Sequence, residues 1–313
     1  MGGWLARALL AQENQVRSVV RQGGTIEEGP STGLEIHLGD VTDPPSLARA
    51  FQGVDVVFHL AGVRRAPSRH LFFKVNAEGT RNVCEAMLQS GARRLVFCGS
   101  LAASGPSSPD RPRLEEDPLR PQEWYGESKA EGERIAFSYR ARLEVTSARP
   151  CRILGPGDRE NLAFFKLLRK GIRLSIGGGP RPLSLIDVQD VANFLILLAQ
   201  HPRAEGETFF VASQETMTLE EIEDRAATAL GIVPRTLRLP PIALQTLALM
   251  ADGASLILRR RLPLNRKLAR QLLAPAWTCS TAKAERLLGF RASVSIGDSI
   301  DRSAAWYQRH GWV

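Results

Sequence analysis

Two hydrophobic periods alternate along the chain. Apolar runs of about five residues are typical of buried strands, whereas apolar residues repeated every three to four positions indicate helices. The predicted strands are Gln15–Val20, Leu34–Leu38, Val54–His59, Leu95–Gly99, Leu143–Ala148 and Thr208–Ala212. The predicted helices are Ser46–Phe51, Asn76–Leu88, Trp124–Arg140, Leu162–Lys170, Asp187–Ala199, Met217–Leu230, Lys283–Phe290 and Asp298–Trp312. Strands that alternate with helices in this way predict an α/β fold with a parallel sheet.

One predicted helix carries Tyr125 and Lys129, which are four positions apart and therefore share a face. An ammonium group beside a phenol favours the phenolate and lowers a pKa that is normally about 10. Such a tyrosine could exchange a proton near neutral pH. A surface pair is the simpler interpretation, but only six of the 41 basic residues are lysines, and Ser100 directly follows a predicted strand. These three residues are therefore a candidate catalytic group.

Several short motifs surround these residues in a fixed order. They are GDVTD (39–43), HLAG (59–62), VNAEGT (75–80), GSLAASG (99–105), YGESK (125–129), ARPCRILGPGD (148–158) and IDVQDVA (186–192). In this order they resemble the extended short-chain dehydrogenase/reductase superfamily, also called the NAD-dependent epimerase/dehydratase family. The resemblance implies a Rossmann-type doubly wound parallel sheet with a smaller C-terminal substrate-binding lobe. We expect residues 1–155 to form the dinucleotide-binding domain and residues 156–313 mainly the substrate lobe, interleaved with the last sheet elements.

The resemblance also implies an activity and a site. The reaction is hydride transfer between a nicotinamide and a hydroxyl or carbonyl carbon. Tyr125 would exchange the proton with the substrate oxygen, Lys129 would lower its pKa and bind the nicotinamide ribose, and Ser100 would hydrogen-bond the substrate oxygen. The implied cofactor-binding residues, among which Asp40 matches the acid that bonds the adenine, are Gly2, Arg21, Asp40, Val41, Leu60, Ala61, Gly62, Asn76, Tyr125, Lys129, Pro150 and Ile153.

The beginning of the sequence departs from the family's pattern. The family opens with a strand and the turn TGxxGxxG, whereas here Gly2 matches the third glycine and a helical pattern follows directly. The first strand and the first two glycines have no counterpart. We therefore expect a truncated or misassigned N-terminus, a gap in the centre of the sheet, and weak binding of the cofactor pyrophosphate.

Arg21 bears on the choice of cofactor. An arginine at the end of the second strand suits the 2′-phosphate of NADP, whereas an acidic residue there would bind the ribose of NAD. A solvent-facing arginine would have neither role. The sequence thus favours NADP and leaves NAD open.

The substrate also leaves alternatives open. Leu101 and Ala102 stand where sugar-nucleotide dehydratases carry Asp-Glu, and Arg152 stands where sugar-nucleotide epimerases usually carry asparagine. The apolar segment Pro240–Leu258 is similar to that of 3β-hydroxysteroid dehydrogenases and dihydroflavonol reductases. We therefore expect a dehydrogenase or reductase of a lipophilic small-molecule substrate. A nucleotide-sugar epimerase is the alternative enzyme, and a non-catalytic Rossmann scaffold or cofactor sensor is the alternative of another class.

Composition and charge add little to the prediction of function. The net charge of +8 would permit nucleic-acid binding, but the arginines are dispersed apart from Arg259–Arg261, so we expect a solvated basic surface and no nucleic acid. The cysteines and histidines lack paired or metal-ligand spacing, so we expect free thiols, no metal and a cytoplasmic protein. The pattern of segment 240–261 indicates a lid helix rather than a membrane-spanning helix, because charged and polar residues keep its apolar run short. Such a lid could make weak contact with a membrane surface. The family implies a homodimer through helices near 77–90 and 124–140.

Overall fold

Strands and helices alternate along the chain, as the sequence predicts. The computed structural model describes residues 1–24, 33–177, 179–257 and 264–313, so Arg259–Arg261 lie outside the described residues. The strands are β1 (Val16–Val20), β2 (Leu34–Leu38), β3 (Val56–His59), β4 (Arg94–Cys98), β5 (Glu144–Pro150), β6 (Arg152–Leu154), β7 (Ile172–Ile176), β8 (Pro182–Asp187), β9 (Thr208–Val211), β10 (Thr216–Thr218) and β11 (Arg235–Leu239). The helices are α1 (Gly2–Leu10), α2 (Pro44–Ala50), α3 (Arg69–Phe73), α4 (Gly79–Ser90), α5 (Leu101–Ser104), α6 (Trp124–Ser138), α7 (Leu162–Arg169), α8 (Val188–Gln200), α9 (Leu219–Leu230), α10 (Pro241–Ile257), α11 (Arg266–Leu272), α12 (Ala282–Leu288) and α13 (Ile296–Arg309). A π-helical turn, Lys74–Glu78, joins α3 to α4.

The main sheet is parallel and has the order β3-β4-β5-β9. Its strand β4 is buried on both faces because successive side chains point to opposite sides. Leu95 and Phe97 pack in a core that contains residues of α2, α4 and α6, whereas Val96 packs in a core that contains residues of α1 and α8. Helices therefore cover both faces of the sheet, which is the doubly wound α/β architecture of a Rossmann-type fold.

A second parallel sheet, β1-β2, is separate from the main one. Within the described residues, no strand pairs with the free edge of β1 or with the free edge of β3. A cavity of about 1590 Å³ lies between these two edges and is lined by residues of both strands. The structure therefore has the gap in the sheet that the sequence predicts.

Smaller sheets follow in the second half of the chain. Strands β6, β8 and β10 form one, and β7 and β11 form another. Helices α7, α9 and α13 enclose a separate core that includes Phe165, Ile222 and Tyr307. Strand β9 nevertheless pairs with β5 of the main sheet, so the two parts interleave. A domain boundary at residue 155 stays a prediction.

Most predicted elements are observed with small shifts at their ends. Thr218 and Glu221 form a capping box at the start of α9, with each side chain accepting a hydrogen bond from the other's backbone N–H, at 3.2 and 2.7 Å. The sequence missed β6, β7, β8, β10 and β11. These strands are short, and arginine or proline interrupts the apolar pattern of all but β10. Helix α10 lies within the apolar segment predicted at 240–258. No helix of the described residues is long and apolar enough to cross a membrane.

Candidate active site

Ser100 and Tyr125 are brought together by two adjacent helix N-termini. The Glu123 carboxylate caps α6 by accepting hydrogen bonds from the backbone N–H groups of Tyr125 and Gly126, at 2.8 and 2.9 Å. The Ser100 hydroxyl caps α5 by accepting from the N–H of Ala102 at 3.2 Å. A Cβ atom at Gly126 would lie only 2.4 Å from the Ala102 carbonyl oxygen, so glycine permits this close approach of α6 to α5. As a result, Ser100 and Tyr125 line the same cavity, which has a volume of about 690 Å³.

The phenol of Tyr125 is buried and largely shielded from water. Burial raises the pKa of Tyr125, and the nearby Arg64 charge and the Ser100 hydroxyl oppose this only in part. The Arg64 guanidinium carbon lies 5.3 Å from the centre of the Tyr125 ring. Lys129 is buried, its Nζ lies 4.5 Å from the centre of the Phe97 ring, and burial lowers its own pKa. The expectation that Lys129 lowers the pKa of Tyr125 is therefore wrong for this structure, because desolvation outweighs the Arg64 charge and the Ser100 hydrogen bond.

Asn76 connects the loop after β3 to helix α6. Its amide group donates to the Val63 carbonyl at 3.0 Å and to the Ser128 hydroxyl at 2.8 Å, and it accepts from the Val63 N–H at 2.7 Å. The π-helical turn that contains Asn76 is of a kind often found at functional sites. A Cβ atom at Gly62 would lie 3.0 Å from the Asn76 oxygen and 3.9 Å from Lys129 Nζ. Asn76 thus positions this loop and Lys129 lies behind it, and neither of these two predicted cofactor-binding residues lines either cavity.

The large cavity between the sheets contains most of the predicted cofactor-binding residues. Those that line it are Gly2, Arg21, Asp40, Val41, Leu60, Ala61 and Gly62. The backbone N–H and the hydroxyl of Thr42 both donate to Asp40 Oδ1, at 2.8 Å each. Partial burial opposes ionisation of Asp40, but these hydrogen bonds and the Arg21 charge lower the pKa of the carboxyl. An ionised acceptor is therefore held at the end of β2, where strand ends border the cavity.

These residues fit a dinucleotide in two respects. The ionised Asp40 can accept hydrogen bonds from a nucleoside, and the small side chains of Ala61 and Gly62 let a ligand approach the backbone. Helix α1 begins at Gly2 without a side-chain cap, so its first N–H groups are available to an anion.

The smaller cavity adjoins the large one. Four residues line both of them, namely Met1, Trp4, Pro156 and Gly157. Pro150 and Ile153, the last two predicted cofactor-binding residues, line the smaller cavity together with Ser100 and Tyr125. A ligand that extends from one cavity into the other would therefore end beside the predicted catalytic residues.

The sequence reasoning missed three charged residues of the smaller cavity, Arg64, Arg152 and Glu223. Glu223 lies on the buried face of α9, and burial above all raises its pKa to about 7. Its Oε2 has no hydrogen-bond partner and lies 3.9 Å from Arg173 Nε. An acidic residue next to Ile222 on the apolar face of a predicted helix was the available signal. Arg152 was visible in the sequence only as a departure from the epimerase pattern.

The candidate site contains no arrangement suited to a metal. Within the described part of the chain, no group of three His, Cys, Asp or Glu side chains could hold an ion. The cysteines Cys84, Cys98, Cys151 and Cys279 are buried free thiols. Burial raises the pKa of the Cys98 thiol, which lines the smaller cavity, so this thiol is a poor nucleophile.

Known proteins with the same pattern are enzymes. The family model described as NAD dependent epimerase/dehydratase family matches residues 1–212. A ceramide reductase of Caulobacter vibrioides is 28% identical over 313 residues, which cover 100% of this chain and 93% of the relative. A 2-alkyl-3-oxoalkanoate reductase of Stenotrophomonas maltophilia is 29% identical over 324 residues, which cover 97% of this chain and 96% of the relative. Among solved structures, MoeE5 in complex with UDP-glucuronic acid and NAD superposes with a TM-score of 0.79 at 22% identity, over 99% of this chain and 96% of the other. The chain therefore belongs to the NAD-dependent epimerase/dehydratase family of enzymes.

Proposed function

We propose that this protein is a nicotinamide-dependent dehydrogenase or reductase that interconverts a hydroxyl and a carbonyl group on a lipophilic substrate. The observation that carries this proposal is the convergence of Ser100 and Tyr125 on a cavity that adjoins the dinucleotide-sized cavity. When bound there, the nicotinamide supplies or takes up the hydride.

In the direction of reduction, Tyr125 donates the proton to the carbonyl oxygen. Its raised pKa keeps the phenol protonated near neutral pH, which suits a donor. Ser100 hydrogen-bonds the same oxygen and stabilises the negative charge that develops on it. In the direction of oxidation, the ionised form of Tyr125 accepts the proton, and the positive charge of Arg64 favours that form. The family resemblance also assigns Lys129 to the ribose hydroxyls of the cofactor, although Lys129 is buried and lines neither cavity in this structure.

The wall of the smaller cavity supports a lipophilic substrate. Its apolar members come from both halves of the chain and include Leu101, Leu154, Ile176, Leu183, Leu268, Leu272 and Trp277. Two relatives with full-length similarity are reductases whose names specify lipid substrates, ceramide and 2-alkyl-3-oxoalkanoate. A nucleotide-sugar epimerase remains the alternative, because MoeE5 holds a nucleotide sugar on the same fold.

We also propose NADP as the cofactor. Arg21 is exposed directly after β1 and lies near Asp40, so its charge is available to a 2′-phosphate. A homodimer through α4 and α6 and a cytoplasmic location stay predictions. Weak contact of α10 with a membrane surface is supported by the exposed side chains of Ile242, Leu249 and Met250.

The proposal is tested with purified protein, NADPH or NADH, and three substrates: methyl 3-oxododecanoate, a 3-oxosteroid and UDP-glucose. We expect reduction of at least one lipophilic ketone with NADPH, and we would measure it as the loss of absorbance of the reduced nicotinamide. Epimerisation of UDP-glucose without net oxidation of the nicotinamide, and no reduction of either ketone, would favour the alternative.

A further inference from the structure

Exposed apolar side chains are concentrated around α10. Six of the large hydrophobic side chains that are exposed in the described part of the chain lie between positions 233 and 250. Four of them, Ile242, Leu247, Leu249 and Met250, belong to α10 itself and are between 46% and 72% exposed. Single exposed apolar residues are common on soluble proteins, whereas a group of them marks an interaction surface.

Helix α10 is apolar on both of its sides. Its inward side carries Leu244 and Ala248, which are buried in a small core together with Ala269 of α11. Its outward side carries the exposed apolar residues, and no residue from position 241 to position 251 is charged. A surface helix normally presents a polar face to water, and a helix that is apolar all round is covered on every side. The outward side of α10 has no such cover within the described residues.

Two arginines precede this helix without an acidic partner. Arg235 and Arg238 are exposed on β11, which leads directly into α10 through Pro240. Among the residues that the structure describes, neither of them forms an ion pair, whereas Arg173 on the neighbouring strand β7 pairs with Asp224. Positive charge beside exposed apolar side chains suits an anionic lipid surface, because the apolar groups insert and the arginines meet phosphate groups.

The smaller cavity lies on the inner side of α10. Leu244 and Ala248 of α10 pack against Ile176. Ile176 also lines the smaller cavity, together with Leu268 and Leu272 of α11. A layer of apolar side chains thus connects the exposed helix to the cavity in which Ser100 and Tyr125 meet, and a lipophilic substrate dissolved in a membrane would have a short path to it.

We propose that α10 and β11 dock on a membrane that contains anionic lipids, with Ile242, Leu249 and Met250 inserted among the acyl chains and Arg235 and Arg238 at the headgroups. The inference rests on the proposed function, because it names the surface from which a lipophilic substrate reaches the smaller cavity. A second copy of the chain fits this surface less well, since a twofold contact would bring the same unpaired arginines together.

The test is cosedimentation of the purified 313-residue chain with lipid vesicles, which needs neither cofactor nor turnover. One set of vesicles is phosphatidylcholine alone, and the other also contains about 30% phosphatidylglycerol. We expect the parent to bind the anionic vesicles at least about 10-fold more tightly, and to lose this preference at about 1 M salt.

Two double variants separate the two contributions. The arginine variant, Arg235→Gln with Arg238→Gln, should weaken binding to anionic vesicles about 10- to 30-fold and leave binding to phosphatidylcholine nearly unchanged. The α10 variant, Leu249→Ser with Met250→Ser, should weaken binding to both kinds of vesicle at least about 10-fold, because less apolar surface is inserted.

Matched controls lie elsewhere on the protein. Ile36→Ser with Leu38→Ser replaces two apolar residues that are 56% and 65% exposed, against 55% and 64% for the two residues changed in the α10 variant. Arg140→Gln with Arg142→Gln removes two exposed charges that follow α6. Both controls should bind vesicles as the parent does. Thermal melts show whether each variant is folded, and Ile242→Ser replaces the α10 variant if that variant is not.

The inference is overturned if the parent does not bind anionic vesicles, or if the α10 variant binds them as its control does. Equal binding of the parent to both kinds of vesicle, unchanged in the arginine variant, would overturn the assignment to anionic lipid. Self-association of the parent without lipid, abolished in the α10 variant, would assign the surface to a second copy instead. Failure of the proposed function looks different, since no ketone would be reduced while binding to anionic vesicles persisted.

Discussion

Replacement of Glu223 should stabilise the protein, and the gain should depend on pH. Glu223 is 5% exposed, its Oε2 has no hydrogen-bond partner, and its pKa in the folded protein is about 7. In the unfolded chain a glutamate has a pKa of about 4.3. As the pH rises, the unfolded state therefore loses its proton first, and the free energy of unfolding falls between about pH 4.3 and pH 7. Above pH 7 the ionised Glu223 lowers the free energy of unfolding by its full amount, and this reduction is the penalty for burying the carboxylate.

The size of this penalty follows from the same values. A rise in pKa from about 4.3 to about 7 corresponds to at most about 3.7 kcal/mol. Glu223 borders a cavity and lies near Arg173, so solvent and the arginine reduce the effect, and we expect about 1–2 kcal/mol. Glu223→Gln keeps the shape of the side chain and cannot ionise. The variant should therefore exceed the parent in free energy of unfolding by about 1–2 kcal/mol at pH 8 and by much less at pH 5.

The assay is urea denaturation followed by circular dichroism at both pH values. Glu215→Gln serves as the control, because Glu215 is exposed and its removal changes the net charge equally. An equal gain at pH 5 and pH 8, or a loss at pH 8, would refute the assignment of a costly buried carboxylate at this position.

Three other predictions concern the cofactor and the catalytic group. Tyr125→Phe should reduce turnover at least about 100-fold and leave the Kd for NADPH within a few-fold, since only the proton donor is removed; turnover within tenfold of the parent would exclude Tyr125 as that donor. Arg21→Ala should weaken NADPH binding by about 1.5–3 kcal/mol and leave NADH binding nearly unchanged, and equal losses for both cofactors in fluorescence titrations would show a structural role. Addition of an apolar strand followed by TGxxGxx before Gly2 should raise Tm and lower the Kd for NADPH more than 100-fold. The added strand would pair with the free edges of β1 and β3, and the turn would supply anion-binding N–H groups. Micromolar binding of NADPH by the 313-residue chain without the addition would contradict this reasoning.

Local sequence patterns were sufficient for the framework of the fold. The apolar run at Leu95–Gly99 and the spacing of Tyr125 and Lys129 were enough to predict β4, α6 and the proximity of Ser100 and Tyr125, whereas Lys129 lines neither cavity. Burial was not predictable in the same way. The pKa of Tyr125 depends on how much water the surrounding elements exclude, and Arg64, the main opposing charge, comes from a loop 61 positions away in the sequence.

The residues that distinguish this chain's smaller cavity were the hardest to predict. Arg152, Glu223 and Asn161 belong to different elements, and their sequence neighbours do not indicate which contacts they make. Only the tertiary fold shows that Arg152 has a neutral partner and that Glu223 has no hydrogen bond to Oε2. A pattern of hydrophobic positions contains no information on which charges are matched, because that depends on contacts between distant elements.

The gap in the sheet links stability to cofactor binding. Strand β1 has a partner only at β2 within the described residues, and Arg17 connects the pair to the rest of the fold by donating to the carbonyls of Ala50 and Gln52, at 2.9 and 2.8 Å. On β2, Ile36 and Leu38 are exposed, so this sheet buries less apolar surface than the main one. Arg21 and Asp40 follow directly after these two strands. A ligand that binds both residues would therefore also hold the β1-β2 sheet in place, and its binding free energy would add to the stability of the least supported part of the fold.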